Sequence, residues 1–433
     1  MTDVAIGIDV GTTRVKASVV SAGRRELRCF SAPTPWQSVE GQLQVDLGEL
    51  GDVALRLAGE AAAWGRDAGH AVAGVASTGM AETGALLGAD GAVLAPGFAW
   101  HHTLGDAGRV EAALGDFIAV AGRSCTLAPS IVKLDHLRTT GHRFRPGQTW
   151  LNVPDYVAWR LCGVRAAEMS TSSRTGLVDI LGKRWWVDAL EFLDAGLWLV
   201  PDELLPCGVR LGEAAGDVPD SLRGVAVCTG GHDHPTAALS VGGEQVGTLD
   251  MSLGTAEAQL RIVAPPLSRD QVVALVGAGA SVDLHPLGDR LTVLSALPTG
   301  MTLERLATVL GACDLESRRA LSQEALACEP ARVRLANVTL DDFGIEGISD
   351  GATRAGLWRA AAEQLVADSV ATTASAEAIL GPPRQIKTFG GWIKDPLVAA
   401  LRAPLGQRAQ PDEPEEPGAM GAALMALKGA GVA

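Results

Sequence analysis

The stretch "IGIDVGTTRVKASVV" at residues 6–20 constrains the fold most: an apolar run, a carboxylate, a Gly-Thr-Thr corner and a second apolar run. Ile6–Val10 and Val15–Val20 are rich in β-branched residues and read as short strands, with Gly11 supplying the turn. The pattern returns in the second half, where Leu249–Leu253, Gly254-Thr255 and Ala258–Val263 again place a Gly-Thr corner between apolar runs. Two such hairpins, one per half, predict duplicated α/β cores facing each other across a cleft. A corner of this kind exposes backbone N–H groups and hydroxyls that suit phosphate oxygens. Asp9 beside it suits a magnesium ion that travels with them. The alternative is an ordinary N-terminal hairpin whose turn contains Thr and Asp.

A third strand is expected near Arg25–Ala32, a helix over Leu47–Ala68 and a buried strand at "AVAGVAST" (71–78). Strand–helix alternation on this scale predicts an α/β class. The middle, 107–205, reads as mainly helical, with breaks at Pro129, Pro146 and Pro154. Strands return from 226, and long helices are expected at 302–311 and 354–380. "RAQPDEPEEPG" (408–418) reads as a Pro/acidic loop and "AMGAALMALKGAG" as a closing small-residue helix. The division between the halves is placed at 228/229, giving domains 1–228 and 229–433.

A chain of 433 residues is long enough for two sizeable domains, and 47% hydrophobic against 20% charged residues predicts a packed core. The net charge of −14 argues against nucleic-acid or anionic-membrane partners, which need basic surfaces, but leaves room for an anion in a local nest of N–H groups. Seven cysteines, none at CxxC spacing, support neither a zinc ribbon nor a redox motif and fit reduced thiols in a cytoplasm. No basic segment precedes the first strand and Asp9 interrupts its apolar run, so no signal peptide is expected. No apolar stretch is long enough to span a bilayer, and a cytoplasmic protein is the expectation. GxxxxGK[ST] and GxSxG are absent, and "GAGASV" (277–282) fails as GxGxxG.

Two further stretches carry candidate chemistry. In "TGGHDHPTAALSVG" (229–242), Asp233 precedes an Ala-rich helix, where it could cap the helix or act as a general base at a strand end. In "KTFGGWIKDPLVAAL" (387–401), Gly390-Gly391 could lie against a flat ring such as adenine or make an ordinary turn between strand and helix.

The ordered set is more specific than its parts. Asp-x-Gly-Thr-Thr, Gly-Gly-His-Asp, the second Gly-Thr hairpin and a late Gly-Gly-x-x-Lys-Asp-Pro together resemble the FGGY carbohydrate kinases of the actin/hexokinase-like ATPase superfamily. "VPDYVAWRLCG" (153–163), "EMSTSSRTGLVDI" (168–180), "LWRAAAEQLVADS" (357–369) and "EEPGAMGAALMA" (415–426) extend the likeness through most of the chain. The resemblance implies two ribonuclease H-like domains about a central cleft, and ATP-dependent phosphorylation of a small sugar or polyol, a ketopentose or ketohexose first among them. It implies that Asp9 acts through Mg2+, that Gly11, Thr12, Thr13, Gly254 and Thr255 hold phosphates, and that Gly300, Gly390, Gly391 and Asp395 flank the adenosine. Asp233 would be the base, and Met80, Glu82 and Trp100 would meet the acceptor with it. Glu82-Thr83 is similar to glycerol kinases. Trp100-His101-His102 departs from the family's Trp-x-Asp, and His136 replaces a usual tryptophan. A homodimer is compatible with the family. A non-catalytic sensor of the same fold is the alternative function, although such a relative would be expected to have lost Asp9 or Asp233.

Overall fold

The computed structural model describes residues 2–339, 342–409 and 414–432, so the expected Pro/acidic loop falls in part, at 410–413, outside the described residues. β1 (Asp3–Val10) and β2 (Arg14–Ser21) form the opening hairpin, and β3 (Glu26–Pro33) pairs antiparallel with β2. α1 (Leu47–Asp67) crosses the sheet, its first turn capped by Asp46, which accepts from the Glu49 amide at 3.0 Å. β4 (Ala71–Gly79) returns parallel to β1. Beyond α2 (Ser130–Thr139), β5 (Arg210–Glu213) and β6 (Ala226–His232) complete a sheet in the order β5-β6-β4-β1-β2-β3.

The period-two alternation of β1 decides what covers each face. Val4, Ile6, Ile8 and Val10 are fully buried in one core with α1, each contributing about 1.5–3 kcal/mol by burial. Ala5, Gly7 and Asp9 point the other way, a smaller face that admits a helix at close range.

α3 (Asp233–Ser240) follows β6 directly. The second sheet comprises β7 (Thr248–Leu253), β8 (Glu257–Val263), β9 (Ser281–Leu284) and β10 (Leu291–Leu297). After α4 (Thr299–Val309) and α5 (Arg354–Leu380), β11 (Gln385–Phe389) adds the last strand, giving the order β9-β10-β8-β7-β11. α6 (Pro396–Arg402) and α7 (Pro417–Gly429) end the chain. The expected duplication is present. β7 and β8 form an antiparallel hairpin as β1 and β2 do, and β10 pairs with β8 as β3 does with β2. β11 runs parallel to β7 as β4 does to β1.

Two boundaries differ from expectation. The division at 228/229 falls inside β6, whose residues on both sides of it pair with β4, so the first unit runs on through Ser240. α7 also returns to the first sheet: it packs on the face that carries Ala5, and a side chain at Gly7 would run into the Ala419 carbonyl. The middle is helical only in short pieces. Its longest helices, α2 and Val153–Cys162, have ten residues each. Pro129 and Pro154 stand at their starts, where a missing N–H costs nothing, rather than breaking longer helices. A shared core of Leu86, Phe117, Ile131 and Val132 with Val282, Leu284 and Leu291 ties this middle to the second sheet. Among the described residues no helix is long and apolar enough to cross a membrane.

Candidate active site

The first corner is braced through its carbonyls. Thr34 donates its hydroxyl to Gly11 O (2.7 Å) and its amide to Thr13 O (3.0 Å), and the Trp36 indole donates to Thr12 O (2.6 Å). The Trp100 indole N–H donates to Thr12 Oγ1 at 3.0 Å, leaving that hydroxyl's own proton for another acceptor. Thr13 is exposed and Asp9 is half-buried. Asp9 Oδ1 is buried and has no hydrogen-bond partner. Burial, then the neighbouring Asp233, push the Asp9 carboxyl up to about 7. Lys16, opposite Asp9 across the hairpin, opposes that rise but is itself ion-paired with Glu416 at the start of α7.

Asp233 is the first residue of α3. Its Oδ1 lies 3.1 Å from His232 Nε2 and accepts from the His234 amide at 2.7 Å. Burial would raise its pKa, but His234, His232 and these hydrogen bonds hold the carboxyl well below the usual range. A buried relay fixes its backbone. Asp155 Oδ1 accepts from the Glu168 amide (3.1 Å), Glu168 Oε2 accepts from Ser170 Oγ (2.7 Å), and Ser170 Oγ accepts from the His232 amide (3.0 Å). The segments at 153–163 and 168–180, whose contribution the sequence leaves unassigned, thus position Asp233. Gly230 lets β6 lie against β4, since any side chain there would enter the Ser77 backbone.

Glu82 has φ +61°, a left-handed conformation costly for a side-chain-bearing residue and one that the surroundings must enforce. Its Oε1 accepts from Arg174 Nε (2.7 Å) and Arg123 Nη1 (3.3 Å). Both arginines also bind Asp283 of β9, Arg174 at 3.1 Å, so a buried four-residue ion cluster crosses from the first unit to the second. Burial opposes it, but the two guanidinium groups hold the Glu82 carboxyl below its ordinary value. An acceptor hydroxyl at Glu82 would therefore compete with two cations. Met80 is buried in the first core and its amide donates to Val10 O. Trp100 turns its N–H to the first corner.

At the second corner the Gly254 amide donates to Ala256 O (3.1 Å) and the Met301 amide to Thr255 O (2.7 Å). Gly300 lets α4 touch this corner, because a Cβ there would lie 2.7 Å from Thr255 O and 2.9 Å from Trp392 Nε1. Gly390, at φ +106°, packs against Leu253. A cleft of about 300 Å³ opens here, lined by Gly254, Thr255, Arg318, Arg319, Gly391 and Trp392 among others. Arg318 lies 5.1 Å over the Trp392 ring. Asp395 borders the cleft, yet its carboxylate is taken up elsewhere. It caps α6 through the Leu397 (3.0 Å) and Val398 (3.2 Å) amides and accepts from Ser322 Oγ (2.7 Å). Gly391 and Trp392 line the same cleft. Arg174 lies in 168–180 and Trp392 in 387–401, whereas Arg318 lies in no segment singled out above, and nothing local marks any of the three, since their partners are remote in sequence.

Residues 4–240 match the FGGY family of carbohydrate kinases, N-terminal domain, which ends where α3 ends. No curated protein sequence matches the chain. Among solved structures, the chain is similar to xylulose kinase from Rhodospirillum rubrum (23% identity, TM-score 0.82, 99% of this chain and 90% of that one). It is also similar to gluconate kinase from Lactobacillus acidophilus (16%, TM-score 0.84, 100% and 90%). A third is Plasmodium falciparum glycerol kinase with ADP (14%, TM-score 0.86, 100% and 90%). At these identities the likeness is one of fold, two actin-like ATPase domains. The family match covers more than half of the chain, and the protein belongs to the FGGY family of carbohydrate kinases, phosphotransferases with an alcohol group as acceptor.

Proposed function

We propose that the protein transfers the γ-phosphoryl group of ATP to a hydroxyl of a small sugar or polyol held beside Asp233. The observation that carries this reading is the pair Asp9 and Asp233: two carboxyls in electrostatic reach of each other, one pushed up and the other held down. Opposed proton affinities of this kind separate two tasks. Asp233, ionised at neutral pH and oriented by His232 and the His234 amide, accepts the hydrogen bond of the acceptor hydroxyl. It takes the proton as the new O–P bond forms and the bond from phosphorus to the ADP oxygen breaks.

Asp9 fits a divalent cation, since its buried Oδ1 has no partner in the protein and its raised pKa marks a carboxylate short of positive charge. Mg2+ held there supplies charge neutralisation for the phosphate oxygens. The hydroxyls of Thr12 and Thr13 meet the transferred phosphoryl group, and Gly254-Thr255 meet the phosphates that leave with ADP. The cleft at Gly391 and Trp392 takes the adenosine, a volume at the low end for small-ligand pockets. A ketopentose or ketohexose is the acceptor expected on family resemblance. The similar structures, described as xylulose, gluconate and glycerol kinases, do not choose among acceptors.

A coupled ADP-release screen over pentuloses, hexuloses, pentitols and glycerol tests the reading. ADP release strictly dependent on an acceptor is expected. Binding of ATP and acceptor with no turnover would support a sensor instead.

A further inference from the structure

We propose that the acceptor carries a carboxylate, bound at a subsite formed by Lys133 and His102; this narrows the kinase reading above and rests on it. Lys133, in α2, is 1% exposed. Its ammonium donates to the Ala128 carbonyl, and among the described residues no carboxylate is within ion-pair reach of it. Burial lowers its pKa to about 8, so it is still mainly charged at neutral pH. The acidic group it senses is Glu82, whose Oε1 already serves Arg123 and Arg174. A buried ammonium without a counter-ion is expensive, and a ligand that brings one gains that energy back.

His102 has the complementary deficit. It is 3% exposed, and its Nδ1 accepts from the Leu104 amide at 3.1 Å. In the neutral ring Nε2 therefore carries the proton. Burial and Lys133 keep the ring neutral, with a pKa of about 4. Yet Nε2 is buried and has no partner. Phe98 and His136 pack around the ring, with centroids 4.6 and 6.5 Å away. His136 lies one turn along α2 from Lys133, so a cation without an anion and an N–H donor without an acceptor stand beside the same helix, where a carboxylate would satisfy both.

The subsite lies on the acceptor side. Trp100, two residues before His102, donates to Thr12 at the first corner, and Ser130, one turn before Lys133 in α2, donates its hydroxyl to the Glu82 carbonyl at 3.2 Å. Glu82 is in electrostatic reach of Lys133 and also of His232, the neighbour of Asp233. An acceptor can therefore place a hydroxyl at Asp233 and its carboxylate at Lys133 and His102, the arrangement of a sugar acid.

The test compares D-gluconate and D-xylonate with D-xylulose, D-fructose, xylitol and glycerol in the ADP-release assay, alongside calorimetric titration of the two acids. At least one acid is expected to exceed every neutral acceptor in kcat/KM. His102→Asp is expected to raise the KM of that acid about tenfold or more, the scale of one charge-assisted contact, with the ATP KM unchanged. Lys133→Met is expected to do the same, and His102→Asp stands alone if that variant does not fold. A neutral acceptor preferred by wild type and unaffected by His102→Asp overturns the subsite and leaves the kinase reading intact. Acid binding without ADP release keeps the subsite and removes the kinase reading. No acid binding and no turnover overturns both.

Discussion

Asp9-Val10-Gly11-Thr12-Thr13 and Ser252-Leu253-Gly254-Thr255-Ala256 lie at the equivalent hairpin of two sheets that share the order of four strands, yet their surroundings differ. Beside the second corner, the buried Glu257 is fully engaged by Arg402 (2.6 Å), Thr299 (3.0 Å) and Gln259 (3.1 Å). Beside the first, Asp9 retains a buried oxygen with no partner. The second corner opens on a cleft with Trp392 and Arg318, whereas the first is overlaid by Trp36 and Trp100. Duplication gives both corners a Gly-Thr pair between antiparallel strands, and the neighbours make them unequal. In the reading proposed here, the first corner conducts the transfer and the second holds the departing nucleotide.

The largest effect should come from exchanging the residues that make the corners unequal. Asp9→Asn is expected to reduce kcat about 10²–10³-fold, the scale of one preorganised electrostatic contact, while calorimetry shows acceptor binding retained. Adding Ser252→Asp should not restore it, and recovery would erase the distinction between the corners. Gly300→Ala forces α4 off the second corner. Overpacking of about 1–3 kcal/mol should raise the ATP KM by roughly tenfold and leave the acceptor KM unchanged. Equal rises in both would mean that the second corner also serves the acceptor.

Trp100→Phe removes one N–H from Thr12 and keeps the ring, so about 0.5–1.5 kcal/mol, a loss in kcat below roughly tenfold, is expected. The loss should vanish in a Thr12→Val background, where kinetics of the double mutant isolate the coupling.

The smallest effect concerns Asp250 of β7, whose two oxygens are also buried without partners and whose carboxyl burial pushes up to about 7. The unfolded chain loses this proton near pH 4 and the folded protein only near 7, so stability contributed by the group is lost as pH rises between those values. Asp250→Asn should therefore raise Tm at pH 8 and change it little at pH 4, with kcat unaltered. A gain independent of pH would remove the titration from the account.

What the sequence shows on its face is whatever local pattern determines. The two hairpins, α5 and the small-residue α7 follow from alternation, helical spacing and composition over short windows. Strand order does not. Gly230-Gly231 looks like the opening of a new domain because strands resume there, yet β6 pairs with β4 of the first sheet, some 150 residues earlier. Glu82 stands out as a lone acid in a small, apolar turn, but Arg123, Arg174 and Asp283 meet it only in the folded chain. Asp395 sits in a motif that resembles a ligand contact, and its actual engagement, a helix cap completed by Ser322, depends on a serine 73 positions away. Lys133 reads as one more helix residue until its missing counter-ion is seen in three dimensions.

The most direct measurement is the single-turnover rate of Asp233→Ala, taken with its melting temperature and with its affinities for ATP and acceptor. If Asp233 is the base, phosphoryl transfer falls by at least about a hundredfold while both ligands still bind. If Asp233 only starts α3, the variant loses about 1 kcal/mol of stability and transfers phosphate at nearly the wild-type rate per folded molecule, which contradicts the account.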